Sequence, residues 1–275
     1  MSESRSDKEL AYLHDLYVAT DWGERFAELI DEHLKLPKEG RALYVAAGTG
    51  GHALKLTERA GADVTLIGVD EHAERVEIAR AKAAAAKLED QADFRTTQLE
   101  ALAFEDGQFE LVVADASMVA PERLPEVLAE MVRVAAYGAT VAFNLPTASS
   151  YGEFFSIYWE ALGNAGLADE SSVVEELINR LPTVSDAKLL AAREGLEDVR
   201  SFTNIEEFGF ASAEEFLSAP LVRHFLLKDW LDPLADPATH GRVLSSISEL
   251  IDGERHESSF ALSVKATLVI GQKMR

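Results

Sequence analysis

Four small residues followed by one acid hold the clearest chemistry in this chain. Gly48, Thr49, Gly50 and Gly51 form a turn, where bare backbone bends sharply and can approach a ligand closely. Asp70 follows roughly 20 residues later, closing the apolar run of Val64, Leu66, Ile67 and Val69. A carboxylate at that place can accept hydrogen bonds from both hydroxyls of a ribose, so the pattern predicts a nucleoside-bearing ligand. Gly48-Thr49-Gly50-Gly51-His52-Ala53 also fits G-x-G-x-x-A, so the turn taken alone admits a dinucleotide as readily.

Other polar residues stand where similar chemistry is possible. Asp115 ends the apolar stretch Phe109 to Ala114 and can orient or deprotonate a substrate, or cap a helix. Gln98 and Asn144 occupy comparable positions. The seven histidines, His14, His33, His52, His72, His224, His240 and His256, show no metal-ligand spacing. His52 is nearest the glycine turn and reads as a surface or helix-start residue. Without cysteine, thiol nucleophiles, disulfides and zinc–thiolate sites are excluded.

These residues need strands and helices to bring them together. Leu43 to Ala46 reads as a strand buried on both faces, followed by the glycine turn and a helix with Ala53, Leu54, Leu56 and Ala60 inward. Val64 to Asp70, Ala92 to Gln98, Phe109 to Ala114 and Ala139 to Leu145 supply further strands. Glu71 to Lys87 and Leu124 to Val134 are the helices among them. Strands alternating with helices at this spacing predict a doubly wound α/β sheet, with ligands at the carboxyl ends of its strands. Ahead of it, Lys8 to Leu36 reads as helical with a break at Asp21-Trp22-Gly23. Behind it come helices over Tyr151 to Ala165, Ser171 to Arg180, Ser185 to Glu194, Ala213 to Trp230 and Val243 to Ile251. Val199 to Phe210 and Phe260 to Ile270 read as the last strands.

Composition narrows the partners. The 275 residues are 47% hydrophobic and carry a formal charge of −22, enough for a sizeable core. Such an acidic balance without a Lys/Arg cluster disfavours nucleic acid and anionic membranes. The polar start and the lack of a long apolar run predict a cytoplasmic protein.

In order, these pieces resemble a class I S-adenosylmethionine-dependent methyltransferase, well over Ala42 to Leu167 and in outline to the final strand. Leu43 to Gly51 resembles the family's first motif and Gly68-Val69-Asp70 its second. Gln98 to Glu110 resembles the third-strand loop and the entry into strand four, a stretch that a nicotinamide dehydrogenase has no reason to carry. The resemblance implies a mostly parallel seven-stranded Rossmann-like sheet with an antiparallel last strand and helical insertions. It also implies S-adenosylmethionine as cofactor, with S-adenosylhomocysteine as product.

By the same resemblance, Gly48, Thr49 and Gly50 would lie along the methionine and ribose, Asp70 and Glu71 at the ribose end, and Gln98 and Leu99 at the adenine. Asp115 would face the reacting methyl group as the catalytic candidate. Two first-motif positions depart from the family. Tyr44 stands where an acid is usual and Ala46 where a glycine is. The expected acceptor pocket is drawn from Tyr17, Trp22, Asn144, Tyr151, Phe154 and Trp159. The expected organisation is a helical lead (1–40), a cofactor-binding core (41–167), and helical cap insertions with the last two strands (168–275). The function implied is methylation of a small molecule. Tyr44 and Ala46 leave open an inactive, methyltransferase-like partner module, and a nicotinamide-dependent oxidoreductase would rest on G-x-G-x-x-A alone.

Overall fold

A computed structural model describes residues 5–234, 236–253 and 259–274. His256 lies outside these residues. In chain order the chain forms α1 (Asp7–Leu13), a π-helical segment (His14–Gly23), α2 (Glu24–His33), β1 (Gly40–Val45), α3 (Gly51–Ala60) and β2 (Val64–Asp70). Next come α4 (Ala73–Ala86), β3 (Ala92–Thr96), β4 (Phe109–Asp115), α5 (Leu124–Val134) and β5 (Ala135–Pro146). The remainder is α6 (Gly152–Asn164), α7 (Ser172–Arg180), α8 (Val184–Arg193), β6 (Leu196–Phe210), α9 (Ala213–Ser218), α10 (Leu227–Leu231), α11 (Pro237–Gly253) and β7 (Phe260–Lys273).

The seven strands form one sheet in the order β3-β2-β1-β4-β5-β7-β6. The pairs β1–β2, β1–β4, β2–β3 and β4–β5 are parallel. Between β6 and β7 the numbering runs in opposite senses: Leu196 lies against Gly271, and Thr203 bonds Thr267 at 3.2 Å. The doubly wound sheet with antiparallel pairing at its last strands is therefore as expected. By internal contacts the chain divides into residues 1–145, 183–204 and 266–275 as one unit, and 146–182 with 205–265 as a second.

In the first unit, α5 shows why this sequence packs as it does. Leu124, Val127, Leu128, Met131, Val132 and Val134 are buried at helical spacing on one side. Each such side chain contributes about 1.5–3 kcal/mol on leaving water. The leading segment differs from expectation, because no break occurs at Asp21-Trp22-Gly23. Gly23 is helical, at φ −61° and ψ −40°. Val18, Trp22, Phe26 and Ile30 are buried at four-residue intervals. An α-helix of about 3.6 residues per turn lets such a stripe drift around the axis, and the wider π winding offsets that drift.

The second unit has an aromatic core. Phe154 stacks on Trp230 at 4.2 Å, and Phe216 meets Phe154 at 5.7 Å and Phe260 at 4.7 Å. The helix expected over Ala213 to Trp230 is interrupted at Ala219, whose ψ of 128° is extended. Pro220 follows it, and proline drives its predecessor out of the helical region. β6 keeps Glu206 and Glu207 within a strand because it is the sheet's edge, where charged side chains reach water.

Candidate active site

β1 delivers the glycine turn to the carboxyl end of the sheet. The amide of Ala47 donates to Val69 O, and that of Gly50 to Ala47 O, both at 2.9 Å. Gly48 and Gly50 have φ of +55° and +80°, which L side chains rarely adopt. A Cβ on Gly50 would lie 2.7 Å from Ala79 Cβ and 3.0 Å from the Phe94 ring. Gly50 is therefore required by helix–sheet packing. A Cβ on Gly48 would meet the ring of His14 at 2.9 Å. Ala46 also has a left-handed backbone, at φ +54°, and it does so with a methyl group.

Asp70 is tied directly to this turn. Its Oδ2 accepts from the Gly48 amide at 2.9 Å, and its Oδ1 accepts from the His72 amide at 3.0 Å, with His72 Nδ1 at 3.2 Å. Burial pushes the Asp70 carboxyl up, but the His72 hydrogen bonds and the charge of Arg75 outweigh it and hold the pKa below the usual range. A buried anion thus sits at the end of β2. Its oxygens offer about four acceptor sites and protein donors do not fill them all, so the donor set fits a ribose diol. Next door, Glu71 takes Arg123 Nη1 at 3.0 Å and Nη2 at 2.6 Å, and the same Nη2 reaches Glu100 at 2.8 Å. Arg123 joins the loops after β2, β3 and β4. Leu99 is buried and Gln98 exposed.

The leading segment also reaches the turn. Thr49 Oγ1 donates to Asp15 Oδ1 at 2.6 Å, and Lys82 pairs with the same carboxylate. Desolvation, with the charge of Arg75, pushes His14 down to about 3, so its ring lies over Gly48 uncharged. Trp22 is buried, and its indole N–H donates to Ser117 Oγ at 2.9 Å. Tyr17, on the same segment, is 51% exposed.

Tyr44 is the departure with most structure behind it. Its hydroxyl lies 2.8 Å from His52 Nδ1, and His52 Nε2 lies 3.1 Å from Asp31 Oδ1, which also pairs with Arg59. The carboxylate accepts from Nε2–H, leaving Nδ1 to accept from the Tyr44 hydroxyl. Burial raises the Tyr44 pKa, and the charges of Asp115 and Asp31 raise it further. The phenol therefore stays protonated. Asp115 accepts from the Ser117 amide at 3.1 Å, capping a short 3₁₀ turn. Burial pushes its carboxyl up against that bond. Asn144 is fully buried, with Nδ2 donating to Phe26 O at 3.3 Å.

The family model described as a methyltransferase domain matches residues 42–138, the span from β1 into β5. Residues 42–138 thus carry a methyltransferase domain. The chain is 25% identical over 171 residues to a ubiquinone/menaquinone biosynthesis C-methyltransferase of Geobacter sp. (strain M21), covering 59% of this chain and 73% of that one. It is 34% identical over 116 residues to ajmaline N-methyltransferase of Rauvolfia serpentina, covering 42% and 38%. The fold is shared with the YcgJ protein of Bacillus subtilis, at a TM-score of 0.59, 17% identity, and coverage of 92% and 99%. Class I methyltransferases use S-adenosylmethionine as methyl donor.

Of the site residues expected from sequence, the structure brings Gly48 and Asp70 into direct contact, and sets Tyr44 where the charge of Asp115 is felt. Tyr151, Phe154 and Trp159 belong to the second unit. There Tyr151 and Phe154 are buried against Trp230, while Trp159 is 43% exposed. Sequence reasoning passed over His14, Asp15, Asp31 and Arg123, and gave His52 a surface or helix-start role; it stands in the first turn of α3. Only His52 carried a signal, because it stands in the first turn after the glycines. No described helix is long and apolar enough to cross a membrane, and no described cluster of His, Asp and Glu could hold a metal ion.

Proposed function

We propose that this methyltransferase alkylates a small-molecule acceptor, with residues 41–167 as its cofactor-binding core. The supporting observation is the hydrogen bond from Gly48 to Asp70, which couples a bare-backbone turn to a buried carboxylate kept ionised. In this reading Asp70 accepts the ribose hydroxyls, with Glu71 fixed beside it by Arg123. Gly48, Thr49 and Gly50 let the backbone approach, Gln98 and Leu99 border the adenine, and Tyr44 and Ala46 flank the amino-acid end. The bound sulfonium supplies an already activated methyl group, so alignment of the acceptor and exclusion of water carry most of the catalysis. Asp115, held by Ser117, orients the acceptor or takes its proton. Tyr17 meets the acceptor, and Trp22 and Asn144 support that wall. The acidic surface disfavours nucleic acid as partner, and a cytoplasmic location accords with the polar composition.

Calorimetric titration with S-adenosylmethionine, S-adenosylhomocysteine and NAD tests this reading. Micromolar binding of the two sulfur compounds, and none of NAD, is expected. Asp70→Ala should weaken S-adenosylhomocysteine binding by about 100-fold, since hydrogen bonds to a charged group contribute ~1.5–3 kcal/mol each and ~1.4 kcal/mol is tenfold. A folded protein that binds none of the three would overturn the proposal in favour of a partner module.

A further inference from the structure

The second unit carries a cavity of 520 Å³ built on the outer face of α6. Gly152, Phe155, Ser156, Trp159 and Glu160 line it at helical spacing, Ile178 of α7 closes one side, and Ser149 and Ser150 form the rim. Its volume is that of a small-molecule site.

Several observations point to the chemistry of its occupant. Trp159 and Ile178 are 43% and 46% exposed, apolar surface that this unit leaves uncovered here. Gly152 has open space where a Cβ would stand, so the floor is bare. Glu160 is the one charged group of the lining, and no described residue forms an ion pair with it. The rim is held at a conformational cost, because Ser149 and Tyr151 have φ of +80° and +63°. Ser150 is fixed by bonds to Thr147 O at 2.7 Å and from the Lys265 amide at 2.9 Å.

We propose that this cavity binds a small amphipathic amine. The apolar body lies against Phe155, Trp159 and Ile178. The ammonium is attracted by the Glu160 carboxylate and the face of the Trp159 indole, and the exposed hydroxyls of Ser149 and Ser156 bond its polar atoms. An anion of the same shape is rejected by Glu160, with no Lys or Arg in the lining to offset it. Amine binding here does not rest on methyl transfer, and amine binding without S-adenosylhomocysteine binding would leave the proposal intact.

The test is fluorescence titration with phenethylamine, compared with 3-phenylpropionate as its anionic counterpart. Trp22 and Trp230 are buried, so Trp159 reports occupancy. Phenethylamine should quench the emission saturably, and 3-phenylpropionate should not. Glu160→Gln should weaken the amine about fivefold, the worth of an accessible ion pair, and Trp159→Phe should remove the signal. Both positions are exposed, so the variants fold, as circular dichroism would check. Equal binding of amine and acid, or an unchanged affinity in Glu160→Gln, would overturn the proposal.

Discussion

Two strand-to-helix turns use the same backbone device with different side chains. After β1 the left-handed positions are Ala46, Gly48 and Gly50; after β5 they are Ser149 and Tyr151. The first turn is closed by backbone bonds, with Gly50 to Ala47 at 2.9 Å and Gly48 to the Asp70 side chain at 2.9 Å. The second is closed with the help of a side chain, Ser150 Oγ, which both donates and accepts. Glycine appears where a side chain would collide, as at Gly50. Larger residues persist where the side chain has work: the Tyr151 ring meets Trp230 at 5.4 Å and Phe155 at 5.9 Å. A left-handed turn therefore signals glycine only when backbone must come close to something else.

The largest expected effect follows from that distinction. Gly50→Ala adds a Cβ 2.7 Å from Ala79 at a φ of +80°. Overpacking costs about 1–3 kcal/mol and the left-handed backbone ~1–2 kcal/mol, so urea denaturation should show a loss of roughly 3 kcal/mol. A loss below about 1 kcal/mol would mean that helix and strand separate easily, and that Gly50 serves ligand approach alone.

The two acids at strand ends sharpen the comparison by differing in sign. The Asp70 carboxyl is held below its unfolded value, so its contribution to stability is present above the unfolded pKa and lost as pH falls through the folded one. Asp115 is raised by burial, so its charge opposes folding above its folded pKa, and that penalty fades as pH falls. Asp70→Asn should therefore destabilise the protein at pH 7, with the difference shrinking in acid. Asp115→Asn should stabilise it at pH 7, since asparagine still caps the 3₁₀ turn. Denaturation at pH 7 and pH 3 measures both. Equal signs would show that burial does not govern Asp115.

These particulars also mark what the sequence could reveal. The central strands β1, β2, β4 and β5 were legible because each holds an apolar run of the right length, and Asp70 because its distance from the glycines is fixed by one β-α-β unit. The β1–β2 pairing of Val45 with Val69 brings the two ends together as that spacing requires. The Tyr44–His52–Asp31 chain was not legible. It joins residues 8 and 21 positions apart on different elements, and no local pattern records such a meeting. The aromatic helix was legible as a helix but not by its faces, for a related reason. Tyr151, Phe154 and Trp159 share a sequence neighbourhood, yet the first two turn into the core and the third toward solvent, because helical spacing places them on different faces.

The smallest effect is the finest test of the comparison. Ala46 and Ser149 share a left-handed backbone, at φ +54° and +80°, which costs an L residue ~1–2 kcal/mol. Glycine removes that strain but adds ~0.4–1 kcal/mol of unfolded-state entropy. Ala46→Gly and Ser149→Gly should therefore each raise stability by about 0.5 kcal/mol. Their ligand effects should differ. Ala46→Gly bares the backbone of the first turn and should tighten S-adenosylhomocysteine, whereas Ser149→Gly removes a rim hydroxyl and should weaken phenethylamine. If Ala46→Gly instead lowers stability, the Ala46 methyl contributes more by packing on the core beside it than its backbone costs. The departure at this position would then be a gain in folding made where the family keeps a glycine.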